Sequence, residues 1–293
     1  MSNDTTERKA FFKKIRGQET EGAEMSFVEH LEVLRWHLFR SALVLIVIAI
    51  GVFVYVDWIF DNVIFAPARK DFITYTGLCN LSHKLHLGDA LCMPPVDIQL
   101  LGSTVSGPFM SAISIAFMGA IIIAFPYLMW ELWRFVKPAL SQKEISYARG
   151  SIGWVSLCFF CGAAFGYYLL APFTFNFLAN FQLGTIGVYK YLPTLDDYID
   201  TLTSLILGCG IAFELPVFAY VLSKLGLITP KFLKTYRKYA YVIILIVAAV
   251  ITPSPDWTSQ TIVAVPLIIL YEISIFISKR VDKQKVKAEA QWD

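Results

Sequence analysis

Long apolar segments alternate with short polar ones along most of this chain. Six of them are apolar enough to be interpreted as membrane-spanning helices, at about 38–60, 109–130, 149–172, 201–222, 238–253 and 259–278. Crossing a hydrocarbon layer of roughly 30 Å takes roughly 20 helical residues at ~1.5 Å each. The pattern therefore predicts an all-α integral membrane protein with six transmembrane helices.

The last two spans are predicted to be short. Tyr239 to Thr252 is a stretch of 14 residues, which makes about 21 Å of helix. Pro253 and Pro255 follow at once, and proline does not continue a helix well. Two short C-terminal spans would thin the surrounding bilayer or lie behind neighbouring helices.

Composition and charge support the membrane class and orient the chain. Of its 293 residues, 56% are hydrophobic and 16% are charged, which is too little charge to cover a soluble domain. All of its 25 Lys and Arg residues except Arg69, Lys70, Lys84 and Lys190 fall in the termini and loops assigned to one face. The positive-inside rule then predicts that both termini are cytoplasmic. The polar start, 1–24, does not indicate a cleavable signal peptide.

The chain divides into a flexible cytoplasmic extension, a six-span membrane domain and a charged cytoplasmic tail, at 1–24, 25–280 and 281–293. Ser26 and Glu29 have capping-box spacing, which predicts that a helix starts here. Phe27 and Leu31 lie on its apolar face, so the helix can lie along the membrane before turning into the first span. Glu32 projects away from that face, toward water.

The longest external loop, about 61–108, contains Cys79 and Cys92. On the oxidising side of a membrane such a pair favours a disulfide, which stabilises a loop of this size by about 3 kcal/mol. His83 and His86 lie between the cysteines, so a Cys-His-His-Cys metal site is the alternative, although the spacing fits no standard zinc pattern. We predict the disulfide and expect no resident metal or other cofactor.

A carboxylate lies inside the fourth apolar segment. Glu214 near the centre of a span would cost about 2.5–3.5 kcal/mol, so it must face protein, water or a partner helix. Pro216 has no amide hydrogen and frees the carbonyl of Ala212 one turn earlier. A hydrogen bond within the monomer and a contact with a partner helix remain open. The rival function is a small-solute or ion transporter with Glu214 as its proton or cation site.

Sequence motifs of catalytic sites are missing. The sequence contains no HExxH, no GxSxG and no phosphate-binding glycine loop. Its four histidines, at positions 30, 37, 83 and 86, lie outside the predicted spans. We therefore expect no enzyme activity.

Two carboxylates on the cytoplasmic face are candidates for binding a cationic ligand. Glu32 lies on the first helix and Glu144 in the loop between spans two and three. Simpler roles are open for both. Glu32 and Arg35 have the i,i+3 spacing of a helical ion pair. Ser141 and Glu144 repeat the capping-box spacing, so Glu144 can cap the third span.

Five stretches of the sequence together resemble the TatC family, the multispanning subunit of the twin-arginine protein translocase. They occur in the family's order and are MSFVEHLEVLR at 25–35, FPYLMWELWRFVKPAL at 125–140 with Glu144 beyond it, FELPV at 213–217, TPSPDWTSQ at 252–260 and PLIILYE at 266–272. The six-span topology with both termini inside agrees with the resemblance. Each fragment is weak by itself, whereas the combination is highly specific.

The resemblance implies a receptor in the bacterial cytoplasmic (inner) membrane that binds the Arg-Arg signal peptides of folded cargo proteins. Its implied partners are single-span proteins of the TatA and TatB type, in an oligomeric complex that uses the proton-motive force. Glu32 and Glu144 would receive the paired arginines, since guanidinium groups bind carboxylates bidentately. Phe135 would pack against the signal peptide, and Pro126 and Pro138 would shape the loop that presents Glu144.

For the membrane partners, the resemblance implies contacts at Glu214 and Gln260. The chain also departs from the family pattern. An acid commonly stands where this chain has Val33, so Glu32 is rotated by about 100° from the usual position. Trp130 and Glu131 replace a common Tyr-Gln pair, and the added acid either extends the signal-peptide site or faces water.

Overall fold

The computed structural model describes residues 27–69, 71–86, 88–89, 92, 98–102, 104–136, 151–180, 192–252 and 257–289. Regular structure in these ranges is helical, apart from one isolated parallel bridge between Leu101 and Thr194. Five helical segments are long and apolar enough to cross a membrane: Glu32–Val54, Gly107–Val136, Ile152–Asn180, Leu195–Lys224 and Ser259–Gln284. The all-α membrane class predicted from the sequence is therefore confirmed for the described part of the chain.

The first helix, α1 (Phe27–Val54), is uninterrupted over 28 residues. The predicted turn between a surface helix and the first span is therefore wrong, because the helical hydrogen bonding continues through both parts. From Glu32 onward most side chains of α1 are exposed, including Leu38 and Ile46. An outer surface of this kind suits contact with lipid acyl chains.

A small layer follows α1 at the far end of the bundle. It starts with α2 (Val56–Ile59), a π turn (Phe60–Ile64) and a 3-10 turn (Ala66–Ala68), and continues with α3 (Ile73–Lys84). We call the described residues of 56–86, together with Cys92, the α3 layer. Tyr75 anchors it, since its buried hydroxyl lies 3.1 Å from both Pro67 O and Pro172 O.

The next two spans are α4 (Gly107–Val136) and the pair α5 (Ser151–Phe165) and α6 (Ala171–Asn180). α4 packs along α1 and keeps Pro126 inside an unbroken helix. A π turn, Gly166–Leu170, joins α5 to α6. Pro172 cannot donate a backbone hydrogen bond, and the carbonyl of Tyr168, one turn earlier, accepts the hydroxyl of Thr74 from the α3 layer instead.

The fourth span is broken in the middle. α7 (Leu195–Ala212) begins at the N-cap Thr194, whose Oγ1 accepts from the amide of Asp197 at 3.2 Å. The chain turns at Phe213 and Glu214 and continues as α8 (Leu215–Lys224), with Pro216 in its first turn. Proline is tolerated there because first-turn amides have no partner within the helix.

The C-terminal part contains α9 (Pro230–Thr235), α10 (Arg237–Ile251) and α11 (Trp257–Glu289). With 15 residues, α10 is only about 22 Å long, as short as predicted. The predicted shortness of the sixth span is wrong, since α11 continues for 33 residues. Its charged end is built from good helix formers, so charge alone does not stop the helix. The boundary predicted at 280 falls inside α11.

Spans three and four pack almost backbone to backbone. A Cβ atom on Gly162 would lie 2.5 Å from Cys209 O, and one on Gly166 would lie 2.6 Å from Leu205 O. Small residues permit this close approach between membrane helices. The contact fixes α7, and with it the break that holds Glu214, against α5.

Candidate functional site

A buried carboxylate lies where the start of α1 meets the end of α4. Glu131 is only 1% exposed, although Lys and Arg-rich sequence follows within a few residues. Its Oε2 is in hydrogen-bond contact with His37 Nδ1 of α1, and its Oε1 accepts from the hydroxyl of Tyr127 at 2.8 Å. Arg134 Nη1 lies 3.7 Å from Oε1. Both carboxylate oxygens are thus engaged, as a buried charge requires.

An aromatic frame surrounds this pair. The ring of Phe135 lies edge-on to that of His37 with centroids 6.3 Å apart. The guanidinium of Arg134 lies 4.9 Å from the ring centroid of Trp130, a cation–π arrangement. We call His37, Tyr127, Glu131, Arg134 and Phe135 the rim cluster. It places the predicted aromatic Phe135 directly beside the helix that carries Glu32.

Glu32 lies five residues before His37 on α1, or about 7.5 Å along the helix axis. Its side chain is exposed. The predicted alternative, an ion pair with Arg35, does not form: no residue in the described ranges makes an ion pair with Glu32 within 4.0 Å. Arg35 instead lies over the ring of Trp36, with Cζ 5.8 Å from the ring centroid. Glu32 is thus presented to solvent.

The remaining predicted residues of this site fall in two places. Pro126 lies inside α4, immediately before Tyr127 of the rim cluster, and lacks the amide that would bond to the preceding turn. Glu144 and Pro138 lie outside the described residues.

The sequence interpretation of Glu131 is corrected by this geometry. It neither faces water nor presents an oxygen outward, because α1 covers it and His37 occupies its Oε2. From the sequence, His37 was expected to lie outside the predicted spans, and no role was predicted for it. One sequence feature could have indicated that Glu131 is paired. It lies four residues after Tyr127, so the two side chains share a face of a helix that must pack against a neighbour.

Glu214 lies at the break between α7 and α8 and is 5% exposed. Its Oε1 has no hydrogen-bond partner in the described part of the chain. The facing helix is α5, which contributes Phe159 and Cys158 to its surroundings. A buried polar oxygen without a partner is unusual and calls for a ligand, a water or a partner chain.

Gln260, on α11, is half-buried, and its Nε2 donates to Leu245 O of α10 at 3.1 Å. Part of its hydrogen-bonding capacity is therefore used within the chain. Glu272, also on α11, accepts from Arg237 Nη2 at 2.8 Å and from the hydroxyl of Tyr241 at 2.6 Å. Both contacts join α10 to α11.

At the far end of the bundle, Cys79 and Cys92 are joined as a disulfide with a Cα–Cα distance of 4.4 Å. His83 Nε2 lies 3.0 Å from Asp89 Oδ1 beside it. Ligand atoms of these four residues lie within 4.8 Å of one another, whereas His86 is not among them. Sulfurs bonded to each other are not thiolates and cannot ligate a metal as such. The arrangement in the structure is thus a disulfide with a neighbouring His–Asp pair.

Fold and site together define a multispanning helical membrane protein with polar groups at its rim and within its fourth span. The family model described as Sec-independent protein translocase protein (TatC) matches residues 29–266. The chain belongs to the TatC family, whose members are subunits of the Sec-independent protein translocase.

Relatives and solved structures agree. The TatC protein of Blattabacterium sp. subsp. Periplaneta americana (strain BPLAN) is 40% identical over 265 residues, covering 89% of this chain and 98% of the relative. That of Helicobacter pylori (strain J99) is 46% identical over 173 residues, covering 59% of this chain and 68% of the relative. A crystal structure of the twin arginine translocase receptor TatC superimposes with a TM-score of 0.66 at 31% identity, covering 87% of this chain and all of the other.

Proposed function

We propose that this chain is the receptor subunit of a twin-arginine translocase, which binds Arg-Arg signal peptides of folded cargo at the rim where α1 meets α4. Membership of the TatC family supports the translocase assignment. The observation that carries the binding site is the exposed Glu32, without an ion-pair partner in the described ranges, on the helix that packs beside Phe135.

The chemistry of an arginine pair suits this rim. An exposed carboxylate accepts two parallel hydrogen bonds from one guanidinium fork. Glu32 would take one arginine and Glu144 the other. Phe135 would contact the apolar part of the signal peptide, next to His37. Glu131 is excluded as a direct ligand because it is buried and already paired.

The proposed topology has six spans with both termini in the cytoplasm of a bacterium and the chain in its inner membrane. α10 is the extra span beyond the five long apolar segments. The distribution of Lys and Arg supports the orientation, since the rim lies on the face with the excess of positive charge. The α3 layer with its disulfide then lies on the oxidising side.

Single-span proteins of the TatA and TatB type are the proposed membrane partners, and the proton-motive force would act through the oligomeric assembly. Glu214 supports a partner contact, since its Oε1 is buried without a hydrogen-bond donor among the described residues. Gln260 is a weaker contact, because its Nε2 already donates to Leu245 O. The receptor itself is proposed to have no catalytic chemistry and no cofactor.

Photo-crosslinking tests the binding site. A signal peptide with a photoreactive residue beside its Arg-Arg pair is incubated with membranes containing the complete translocase. The E32A/E144A double variant should lose the crosslink while its membrane level stays normal. D282A is the matched control, because Asp282 is an exposed acid on α11, which is neither of the two helices that form the rim cluster. An undiminished crosslink in E32A/E144A would reject the proposed site.

A further inference from the structure

We propose that His37 and Glu131 are positioning residues for signal recognition. Their contact holds the helix that carries Glu32 against the helix that carries Phe135, so the receptor's affinity for an Arg-Arg signal depends on a pair that does not touch the peptide. The proposal rests on the function proposed above.

The pair is a polar contact in the packing of two largely apolar helices. α1 packs chiefly on α4, and most of its membrane part is exposed. Within the described ranges, His37 and Glu131 form a polar side-chain contact between these two helices. Apolar packing between membrane helices sets a distance but permits sliding and rotation. A hydrogen bond between buried groups fixes the register.

Burial makes this contact costly to open. The side chains of His37 and Glu131 are 13% and 2% exposed. Separating them would leave a carboxylate away from water with fewer donors, which disfavours the open arrangement. A cation also lies beside the pair, since Arg134 Nη1 is 3.7 Å from Glu131 Oε1.

The pair also lies next to both parts of the proposed binding site. His37 is about one and a half helical turns from Glu32 on α1. Its ring contacts Phe135, four residues after Glu131 on α4. A rotation of α1 about its axis would therefore move Glu32 relative to Phe135. Fixing that rotation before the peptide arrives lowers the entropy cost of binding, which is the general effect of preorganisation.

Three variants distinguish a role in positioning α1 against α4 from a role of the negative charge itself. E131L removes both acceptor oxygens, H37L removes the donor, and E131Q keeps an acceptor but removes the charge. Export of an Arg-Arg precursor is measured in inverted membrane vesicles containing the complete translocase, over a range of precursor concentrations. The readouts are the half-saturating concentration and the maximal rate, normalised to the receptor level.

We expect the half-saturating concentration to change and the maximal rate to stay the same. E131L and H37L should each raise the half-saturating concentration about tenfold, the equivalent of ~1.4 kcal/mol of binding, with an unchanged maximal rate. E131Q should restore binding to near the wild-type level. E131L/H37L should be no worse than either single variant, since both remove one contact. D196L is the control: it removes the acceptor of Ser111 Oγ (2.5 Å), a polar contact between α7 and the opposite end of α4, and should leave the half-saturating concentration unchanged.

Other outcomes overturn the proposal. An unchanged half-saturating concentration in E131L would show that the register between α1 and α4 does not determine the affinity for the Arg-Arg signal. A fall in maximal rate alone, matched by D196L, reduces the pair to a general structural role. Failure of E131Q to restore binding assigns the effect to charge. If E32A/E144A binds normally in the same assay, the proposed function fails and this inference with it. Impaired E32A/E144A with normal E131L rejects the positioning role alone.

Discussion

Arg237 Nη2 lies 2.8 Å from Glu272 Oε2 and thereby joins the short helix α10 to the long helix α11. The hydroxyl of Tyr241 donates to the other oxygen of the same carboxylate at 2.6 Å. A span of 15 residues cannot match a bilayer of roughly 30 Å by itself. These two contacts hold its charged end against a helix that does reach across.

Replacing Glu272 by Gln should weaken this attachment modestly. The side chains of Arg237 and Glu272 are 43% and 39% exposed, so solvent screens the pair and the loss should be about 1 kcal/mol or less. We expect a small, salt-sensitive decrease in the thermal unfolding temperature of the detergent-solubilised protein. D282N, at the exposed end of α11, should leave that temperature unchanged. A large decrease in E272Q would mean that the pair is better shielded than its exposure indicates.

Replacing Gly162 by Ala should separate α5 from α7. The new Cβ atom would lie 2.5 Å from Cys209 O and 2.8 Å from Phe213 Cβ, and overpacking of this kind destabilises by about 1–3 kcal/mol. G153A is the matched control on the same helix, since a Cβ atom there has no neighbour within 4 Å. G153A should be neutral or slightly stabilising. Equal unfolding temperatures for the two variants in detergent would contradict the close approach.

The sequence predicted what depends on local pattern. Apolar segments located the spans, and Pro216 marked the irregularity at which Glu214 now stands between α7 and α8. The length of α10 followed from the spacing between Tyr239 and the prolines after Thr252. Each of these features is encoded within one helical segment, so one sequence suffices to find it.

Features that depend on register between distant segments were not predicted. His37 and Glu131 are 94 positions apart, and only the packing of α1 on α4 brings them together. The hydrophobic period and the composition of each helix do not specify which of its residues contact another helix. The continuation of α11 to Glu289 was missed for another reason: charge was taken as the end of a span, although Lys, Glu and Ala are good helix formers.

Removing the disulfide should loosen the α3 layer without unfolding the spans. C79S/C92S opens a loop whose closure is worth about 3 kcal/mol. We expect faster limited proteolysis between residues 79 and 92 in proteoliposomes, while the spans stay protected. C158S serves as the control, because Cys158 lies on α5 and is a free cysteine. Intact-mass analysis after alkylation of native membranes checks the bond itself. Two alkylated thiols at 79 and 92 without reductant would contradict it.

Raising the pH above about 10 should weaken the contribution of Tyr75 to the stability of the α3 layer. Burial raises the pKa of Tyr75 from 10.0 to about 12. The folded state therefore holds this proton more tightly than the unfolded state does. The stabilisation is complete below pH ~10 and is lost as the pH rises from about 10 through about 12. The measurement is the thermal unfolding of wild type and Y75F against pH.

At pH 8, Y75F should be less stable by about 1–2 kcal/mol, because it lacks the hydrogen bonds to Pro67 O and Pro172 O. The difference between the two proteins should shrink above pH 10. Y55F, at an exposed tyrosine, should show no such convergence. A gap that stays constant up to pH 12 would contradict a protonated, buried Tyr75.

Glu214 should contribute to assembly rather than to the stability of the isolated chain. Its Oε1 is buried and has no partner in the described ranges, and an unpaired polar group costs about 1–3 kcal/mol of stability. Replacing it by Leu removes that penalty. The unfolding temperature of purified E214L should therefore equal or exceed that of wild type, whereas crosslinking to single-span partners in membranes should fall. D57A, at an exposed acid beyond α1, is the control and should change neither readout.

A transporter role for Glu214 can be tested without partner proteins, because it predicts a flux through this protein alone. Proteoliposomes containing this protein alone should then show a proton or cation flux that E214L abolishes. A receptor that acts only with its partners should show none. If the wild type shows no flux and E214L shows reduced crosslinking, the buried carboxyl acts in helix–helix recognition. In that case a partner helix supplies the hydrogen-bond donor that Glu214 Oε1 does not find among the described residues.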